Sequence, residues 1–304
     1  PLLGQGVYDG DELLEFTPKN NVAGTGKIDG RTVAVSGSDF TIRGGSSTKP
    51  GKGTIHDIAL QYKLPYINLL DAAGANIEGV SERGHTYLPS DWNVFDKPIQ
   101  IMQQSPVVTA TLGSVAGGPA GMAILAHFSV MVRETSALFA SGPPVVRRAL
   151  GQNLTKNELG GADVHTRESG CVDNAADTEL DALSQIRRFL SFFPSHVWEL
   201  PPVIAPQPAP VDAAETLASI VPRYRQAPYD MKRLVSMLVD EGEFFEIQPD
   251  YGEALIVALA RINGFPVGVI ANNPLKHAGA LDADAAEKQG RFLDLCDYFR
   301  VPPV

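Results

Sequence analysis

Runs of apolar residues broken by glycine and proline divide the chain into short elements. The turn Lys27-Ile-Asp-Gly30 leads into the β-branched run Arg31-Thr-Val-Ala-Val35, which predicts a hairpin feeding a strand. A basic, glycine-rich loop follows over 43–53, and Thr54 then caps a predicted helix with Ile55, Ile58, Ala59 and Tyr62 on one face. Pro65 ends that helix, and Tyr66–Leu70 reads as a buried strand running into the loop Asp71-Ala-Ala-Gly-Ala-Asn-Ile77. Strand, helix and strand in this order form a βαβ-like unit of a parallel sheet.

A second unit of the same kind is expected from the strand Val107–Leu112, the turn Gly113–Gly121 and a helix opening over Met122–Ala126. Further on, Leu180, Leu183, Ile186, Leu190 and Phe193 line one face of a helix that Asp177 is placed to cap and Pro194 closes. Eight of the 23 prolines then fall between Pro194 and Pro228, which marks an extended connector between folded units.

The pattern also repeats. Lys27-Ile-Asp-Gly-Arg-Thr-Val-Ala-Val35 is echoed by Arg261-Ile-Asn-Gly-Phe-Pro-Val-Gly-Val269, and Leu64-Pro-Tyr-Ile67 by Val301-Pro-Pro-Val304. The two echoes are displaced by nearly the same distance and each encloses a helix-like segment, Ile55–Tyr62 and Glu287–Tyr298, so a duplicated fold is expected. The glycine pair Gly117-Gly118 of the first copy has its counterpart position beyond Val304, so the second copy is expected to be incomplete in this chain.

At 304 residues, two domains are the prior expectation. A net charge of −10 excludes a general nucleic-acid binder but leaves room for a small anionic ligand held by a local basic patch or by aimed backbone amides. Cys171 and Cys296 stand alone and the six histidines are scattered, so neither a disulfide framework nor a metal site is expected. The apolar stretch 115–132 is interrupted by Gly117, Gly118, Pro119, Gly121 and His127, which argues for a buried turn and helix rather than a membrane span. No leader-like segment precedes the first apolar run, so secretion is not expected; the first residue, Pro1, suggests a missing or processed start.

Side-chain chemistry is sparse: there is no Gly-x-Ser-x-Gly elbow, His-Glu-x-x-His helix, Walker loop or dinucleotide fingerprint. Two places can present backbone N–H groups at a strand end, the loop 71–75 and the glycine pair Gly117-Gly118. Such amides suit an enolate or another oxyanion, and Pro119, with no N–H, suits the first helical position. On the motif alone, an alternative stays open in which these glycines only let helix and strand pack closely. Arg43, Lys49 and Lys52 can meet phosphates or form a solvated loop, and Arg147-Arg148 and Arg187-Arg188 read as solvated helix faces.

Several segments carry a family resemblance in the expected order: Ser38-Asp-Phe-Thr-Ile-Arg-Gly-Gly-Ser46, Ser114-Val-Ala-Gly-Gly118, Leu159-Gly-Gly-Ala-Asp-Val-His165, Asp250-Tyr-Gly252, Ala260-Arg-Ile-Asn-Gly264, Ala271-Asn-Asn-Pro274 and Gly279-Ala-Leu-Asp282. They resemble the carboxyltransferase (β) subunits of propionyl-CoA carboxylase and related biotin-dependent acyl-CoA carboxylases. The resemblance implies an α/β fold of two crotonase-like (ββα-superhelix) domains in tandem. Residues 1–200 would form the acyl-CoA side, 201–228 a proline-rich linker and 229–304 the beginning of the biotin side.

The resemblance also implies that carboxybiotin, carried by a partner, releases CO2, that its ureido nitrogen takes the thioester α-proton, and that the enolate attacks CO2. Gly117 and Gly118 are then the oxyanion amides. Arg43, Gly44, Gly45, Ala73, Gly74, Ala75, Asn76, Pro119 and Ala120 are the substrate-binding residues, and no metal is implied. Biotin carboxylase and biotin carrier protein (α subunit) are the implied partners, in a cytoplasmic hexamer built as a trimer of dimers, without nucleic acid or membrane. Asn76 stands where relatives often carry arginine, and Pro119-Ala-Gly121 replaces a bulkier segment, which leaves room for a longer or bulkier acyl chain. The alternatives are the carboxyltransferase subunit of a sodium-pumping decarboxylase and a non-catalytic scaffold subunit. A hydratase or isomerase is disfavoured because no glutamate stands beside the glycine pair.

Overall fold

A computed structural model describes residues 5–9, 12–17, 20–46, 55–74, 81, 95–206, 217, 219–224 and 227–304. They divide into two compact units: the described residues up to His165 with Ala175–Ile186, and Thr166–Asn174 with Arg187–Val304.

In the first unit, β1 (Gln5–Asp9) and β2 (Glu12–Thr17) form an antiparallel pair. A six-stranded sheet follows, built from β3 (Asn21–Ile28), β4 (Arg31–Ser38), β5 (Tyr66–Leu70), β6 (Val107–Thr111), β8 (Phe128–Val132) and β10 (Asn174–Ala176). The short strands β7 (Ser114–Ala116) and β9 (Ala137–Phe139) make a separate parallel pair. The order in the large sheet is β10-β8-β6-β5-β4-β3; β3 and β4 are the predicted hairpin, and β4, β5, β6 and β8 run parallel. Asp29 and Gly30, both at positive φ, make the two-residue hairpin turn whose twist matches its strands. β6 and β8 are buried at every position, as strands covered on both faces must be.

Helices α1 (Ile55–Tyr62) and α2 (Asp96–Met102) cover one face, with Ile55, Ala59 and Ile101 packed on Ala34, Tyr66 and Val107. Tyr62, expected on the inner face of α1, is instead 63% exposed at its last turn. Helix α3 spans Gly118–Ile124, opening at the glycine pair rather than at Met122. The fixed φ of Pro119 suits a first helical turn and moves the start forward. The end comes early because His127 is tied to β6: its N–H donates to Val107 O (2.8 Å), and its Nδ1 accepts the Val107 N–H (3.0 Å).

That imidazole must be neutral to accept, and burial pulls its pKa down to about 4. The unfolded chain takes up the proton near pH 6.5. The stability His127 supports is therefore intact above that pH and is lost as pH falls through the folded value, by about 3 kcal/mol in all. Urea midpoints between pH 7 and 4 should fall less steeply in His127→Asn, whose amide oxygen can accept the same N–H without titrating. Equal slopes would show that His127 carries none of the loss.

Helices α4 (Pro143–Leu150) and α5 (Lys156–Gly160) follow β9, and α5 is opened by a capping box between Thr155 and Glu158. In α6 (Glu179–Ser191) the cap is Thr178, not Asp177: Thr178 Oγ1 accepts the Asp181 N–H at 3.1 Å. Its buried stripe is Ala182, Ile186, Phe189 and Leu190, continued by Phe193 beyond the helix, while Leu180 is 78% exposed. The division between units falls inside α6, because Arg188 bonds Glu243 Oε2 (2.8 Å) and Phe244 O (3.1 Å) of the second unit, to which it belongs. Residues 201–206, at the start of the proline-rich stretch, have no regular secondary structure, and Ile204 N–H donates to Gly264 O at 3.1 Å.

The second unit contains the antiparallel sheet β11 (Phe244–Ile247), β12 (Leu255–Ile262) and β13 (Phe265–Asn272). Helix α7 (Met231–Leu238), capped by Asp230, packs Met231 and Val235 on Ile256, Ala258, Val267 and Val269. Helix α8 (Ala283–Tyr298), capped by Asp282, packs Phe292 and Cys296 against the bare Cα of Gly268. The expected duplication is visible in the backbone. Asn263-Gly264 turns the β12–β13 hairpin with φ of 54° and 82°, as Asp29-Gly30 does with 51° and 81°. Gly268 N–H donates to Pro302 O at 3.0 Å, just as Ala34 N–H donates to Pro65 O at 2.9 Å.

Candidate active site

Three loops leave the C-terminal ends of β4, β5 and β6 and lie against one another in the first unit. The loop after β4 is shaped by Asp39, whose Oδ1 accepts the Thr41 N–H (2.9 Å) and hydroxyl (2.6 Å). It ends in the turn Arg43-Gly44-Gly45, with all three residues at positive φ. Glycine is needed there: a Cβ on Gly45 would stand 2.4 Å from Asp71 O. The second loop is held by Ala73 N–H to Gly44 O (2.8 Å). The third joins it through Ala116 N–H to Ala72 O (3.0 Å), and Gly74 sits so close that its Cβ would be 2.6 Å from Ala116 O.

Arg43, Gly44, Gly45, Ala73, Gly74, Gly117, Gly118, Pro119 and Ala120 thus fall on three interlocked loops. Ala75 and Asn76, and Lys49 and Lys52 of the basic loop, lie outside the described residues. Arg43 is exposed, a cation at the rim. Gly117 and Gly118 are also exposed, with open space where side chains would be.

The glycine pair does not offer two equivalent amides. Gly117 N–H donates to Phe139 O at 3.2 Å, which extends the β7–β9 pairing, and Gly117 O accepts the Ala120 N–H at 2.9 Å. Gly118 is the first residue of α3, where an N–H has no partner within the helix, and no described residue accepts it. In the second loop the Ala73 N–H is taken, whereas no described residue accepts that of Gly74. Among the described residues, one amide from each loop is therefore without an acceptor, rather than both from one pair.

The Phe95 ring packs beside Gly121, where a Cβ would stand 3.2 Å from it. Sequence reasoning also passed over Asp71, the last polar residue before the second loop. Its half-buried carboxyl has a raised pKa, caused first by burial and opposed by the nearby Lys156 charge. The available signal was an aspartate at the end of an apolar strand opposite Gly113. Among the described residues no group of three His, Cys, Asp or Glu could hold a metal ion, and no helix is long and apolar enough to cross a membrane.

Gly74→Ala should cost about 2 kcal/mol, because φ of +91° strains any L residue and the new methyl meets a carbonyl. Thermal unfolding checks this. An unchanged midpoint would mean that the two loops can separate without loss.

A parallel sheet with amide-bearing loops at its strand ends, and a hairpin–helix–strand module used twice, define an α/β protein of the crotonase-like carboxyltransferase class. The chain belongs to the carboxyl transferase domain family, whose model matches residues 12–304. It is 39% identical over 285 residues to the propionyl-CoA carboxylase carboxyltransferase subunit of Haloferax mediterranei, covering 92% of this chain and 54% of that protein. It is 35% identical over 301 residues to methylmalonyl-CoA decarboxylase subunit alpha of Veillonella parvula, covering 98% of this chain and 58% of that protein. Its fold is similar to the transcarboxylase 12S crystal structure with hydrolyzed methylmalonyl-coenzyme A bound, with a TM-score of 0.84 and 30% identity over 93% of this chain and 56% of that one. The chain spans little more than half the length of these relatives.

Proposed function

We infer that this chain carries the acyl-CoA side of a biotin-dependent carboxyltransferase, which moves a carboxyl group between biotin and the α carbon of an acyl-CoA. The reading rests on the Gly118 N–H, which no described residue accepts and which is held in the open beside the loop of Gly74. Removing a proton next to a thioester places negative charge on the carbonyl oxygen, and fixed amides stabilise that charge without a titratable group. Gly118 and Gly74 are the amides for that oxygen. Arg43 at the rim suits the phosphates of coenzyme A.

Biotin, when its carrier docks, supplies or receives the carboxyl group. The partners of this reading are a biotin carboxylase and a biotin carrier protein, and the assembly is a cytoplasmic hexamer; the crystal structure named above is described as a hexamer assembly.

The test is transfer of labelled bicarbonate into acetyl-, propionyl-, branched and long-chain acyl-CoA, with ATP, a biotin carboxylase and its carrier. Label in at least one acyl-CoA is expected, and none in any would overturn the reading. The likeness to a methylmalonyl-CoA decarboxylase subunit favours running the reverse reaction too, as CO2 release from a carboxylated acyl-CoA onto free biotin.

A further inference from the structure

We propose that Thr109 is a positioning residue: its hydroxyl, set in the middle of β6, holds the C-terminal turn of α3 and through that helix fixes the place of the Gly118 amide. The consequence for turnover rests on the carboxyl-transfer reading; the geometry does not. Thr109 is 1% exposed, and its Oγ1 donates to Ala123 O at 2.6 Å. Ala123 O is one of the last four carbonyls of α3, which have no partner within the helix, and its residue is as deeply buried as Thr109. Both residues are shielded from water, so each group satisfies the other.

Apart from the Phe95 ring beside Gly121, little else grips this helix. With seven residues α3 is too short to hold itself together, and it buries just one of them, Ala123. Its outer side is open at Gly118, and Ile124 is exposed. Among the described residues the Thr109 hydroxyl makes the only side-chain hydrogen bond to α3. The backbone ties to the neighbouring strands lie outside it: Gly117 N–H to Phe139 O precedes the helix, and His127 N–H to Val107 O follows it. The anchor itself is fixed, because Thr109 is paired with Asn68 of β5 on one side and with Ser129 of β8 on the other. Gly118 stands five residues before Ala123, about 7.5 Å along the axis, so a slide of the helix on the sheet moves its N–H by the same amount. The worth of that N–H depends on a short distance to the developing oxyanion, and a small displacement removes most of it.

Two variants of the complete enzyme separate this role from a plain contribution to stability. Thr109→Val keeps the branched shape that suits a strand and loses the hydroxyl, which leaves Ala123 O buried without a donor. Thr109→Ser keeps the hydroxyl and loses the methyl. Both should lower the unfolding midpoint. In Thr109→Val kcat should fall about 10- to 100-fold while KM for the acyl-CoA changes less than about twofold, whereas Thr109→Ser should stay within about threefold of wild-type kcat. Hydrogen exchange gives the readout independent of turnover. Relative to those of β6, the amides of 122–125 should exchange at least about tenfold faster in Thr109→Val and keep the wild-type ratio in Thr109→Ser. If kcat follows the unfolding midpoint in both variants, Thr109 serves stability alone and the proposal fails. Equal kcat in Thr109→Val and wild type, or an unchanged exchange ratio in Thr109→Val, overturns it as well. If the wild type carboxylates no acyl-CoA, the functional reading fails, and the exchange ratio alone decides whether Thr109 holds α3.

Discussion

Lys288→Met is expected to destabilise the second unit by about 3–5 kcal/mol, although methionine nearly matches the lysine stem in volume. Lys288 is fully buried on α8, and its ammonium donates to the carbonyls of Gln248 (2.7 Å), Tyr251 (2.9 Å) and Leu255 (2.8 Å). The first two carbonyls belong to the connection between β11 and β12 and the third to the first residue of β12; the connection turns sharply through Gln248 and Gly252, both at positive φ. Gly252 brings that connection within 2.8 Å of the Ala285 backbone, measured from where a Cβ would be, so no solvent layer separates it from α8. Burial brings the lysine pKa down to about 8, which still leaves it charged at neutral pH, with three protons for three acceptors.

Methionine removes the charge and leaves those acceptors buried without a donor, and each orphaned group costs about 1–3 kcal/mol. Hydrogen exchange on the β12 amides, whose slowest rates report opening of this unit, measures the loss. Rates in Lys288→Met within about threefold of wild type would show that the connection finds other donors.

This lysine also marks the limit of what the chain discloses as text. The helix-like segment over Glu287–Tyr298 was legible from the internal repeat, and so was the duplicated hairpin, because a two-residue turn ending in glycine imposes its geometry locally. A lysine in a helix reads as solvent-facing. Only the assembled unit reveals three carbonyls converging on it. Leu180 and Leu183 failed for a related reason: two stripes compete on α6, and the winner, through Ala182, Ile186 and Phe189, is chosen by what packs opposite.

At the site, the glycine turn, the basic loop and the loop after β5 were all found in the sequence, since each is a local departure from regular structure. Which amide remains free was not. That depends on Phe139, more than twenty residues away, capturing the Gly117 N–H. The cap on α6 shows the same limit at close range. Asp177 and Thr178 are both suitable cap residues, and one residue of register decides between them.

Replacing Gly118 by proline should lower kcat about 10²- to 10³-fold with little change in stability, the effect expected for deleting one oxyanion donor. The substitution removes the N–H and leaves the fold able to accept it. Position 118 is the first residue of α3, where proline is favoured, and no atom lies within 4 Å of the Cβ position. The residue before a proline must be extended; Gly117, at φ 69° and ψ −133°, holds the mirror image of an extended conformation, which glycine adopts as readily before proline as the ordinary one. Two prolines in succession at a helix start are already tolerated by this chain, in Pro143-Pro144 of α4.

Gly118→Ala is the matched comparison, since it adds a methyl into open space and keeps the donor. If the amide holds the oxyanion, alanine stays within about threefold of wild-type kcat while proline falls by orders of magnitude, and KM for the acyl-CoA moves little in either, because the charge develops only on the way to the transition state. If alanine and proline fall together, bulk at 118 rather than the lost N–H is responsible. If both retain full turnover with folded protein, the oxygen is held elsewhere, and the acyl-CoA site must be sought away from the glycine turn.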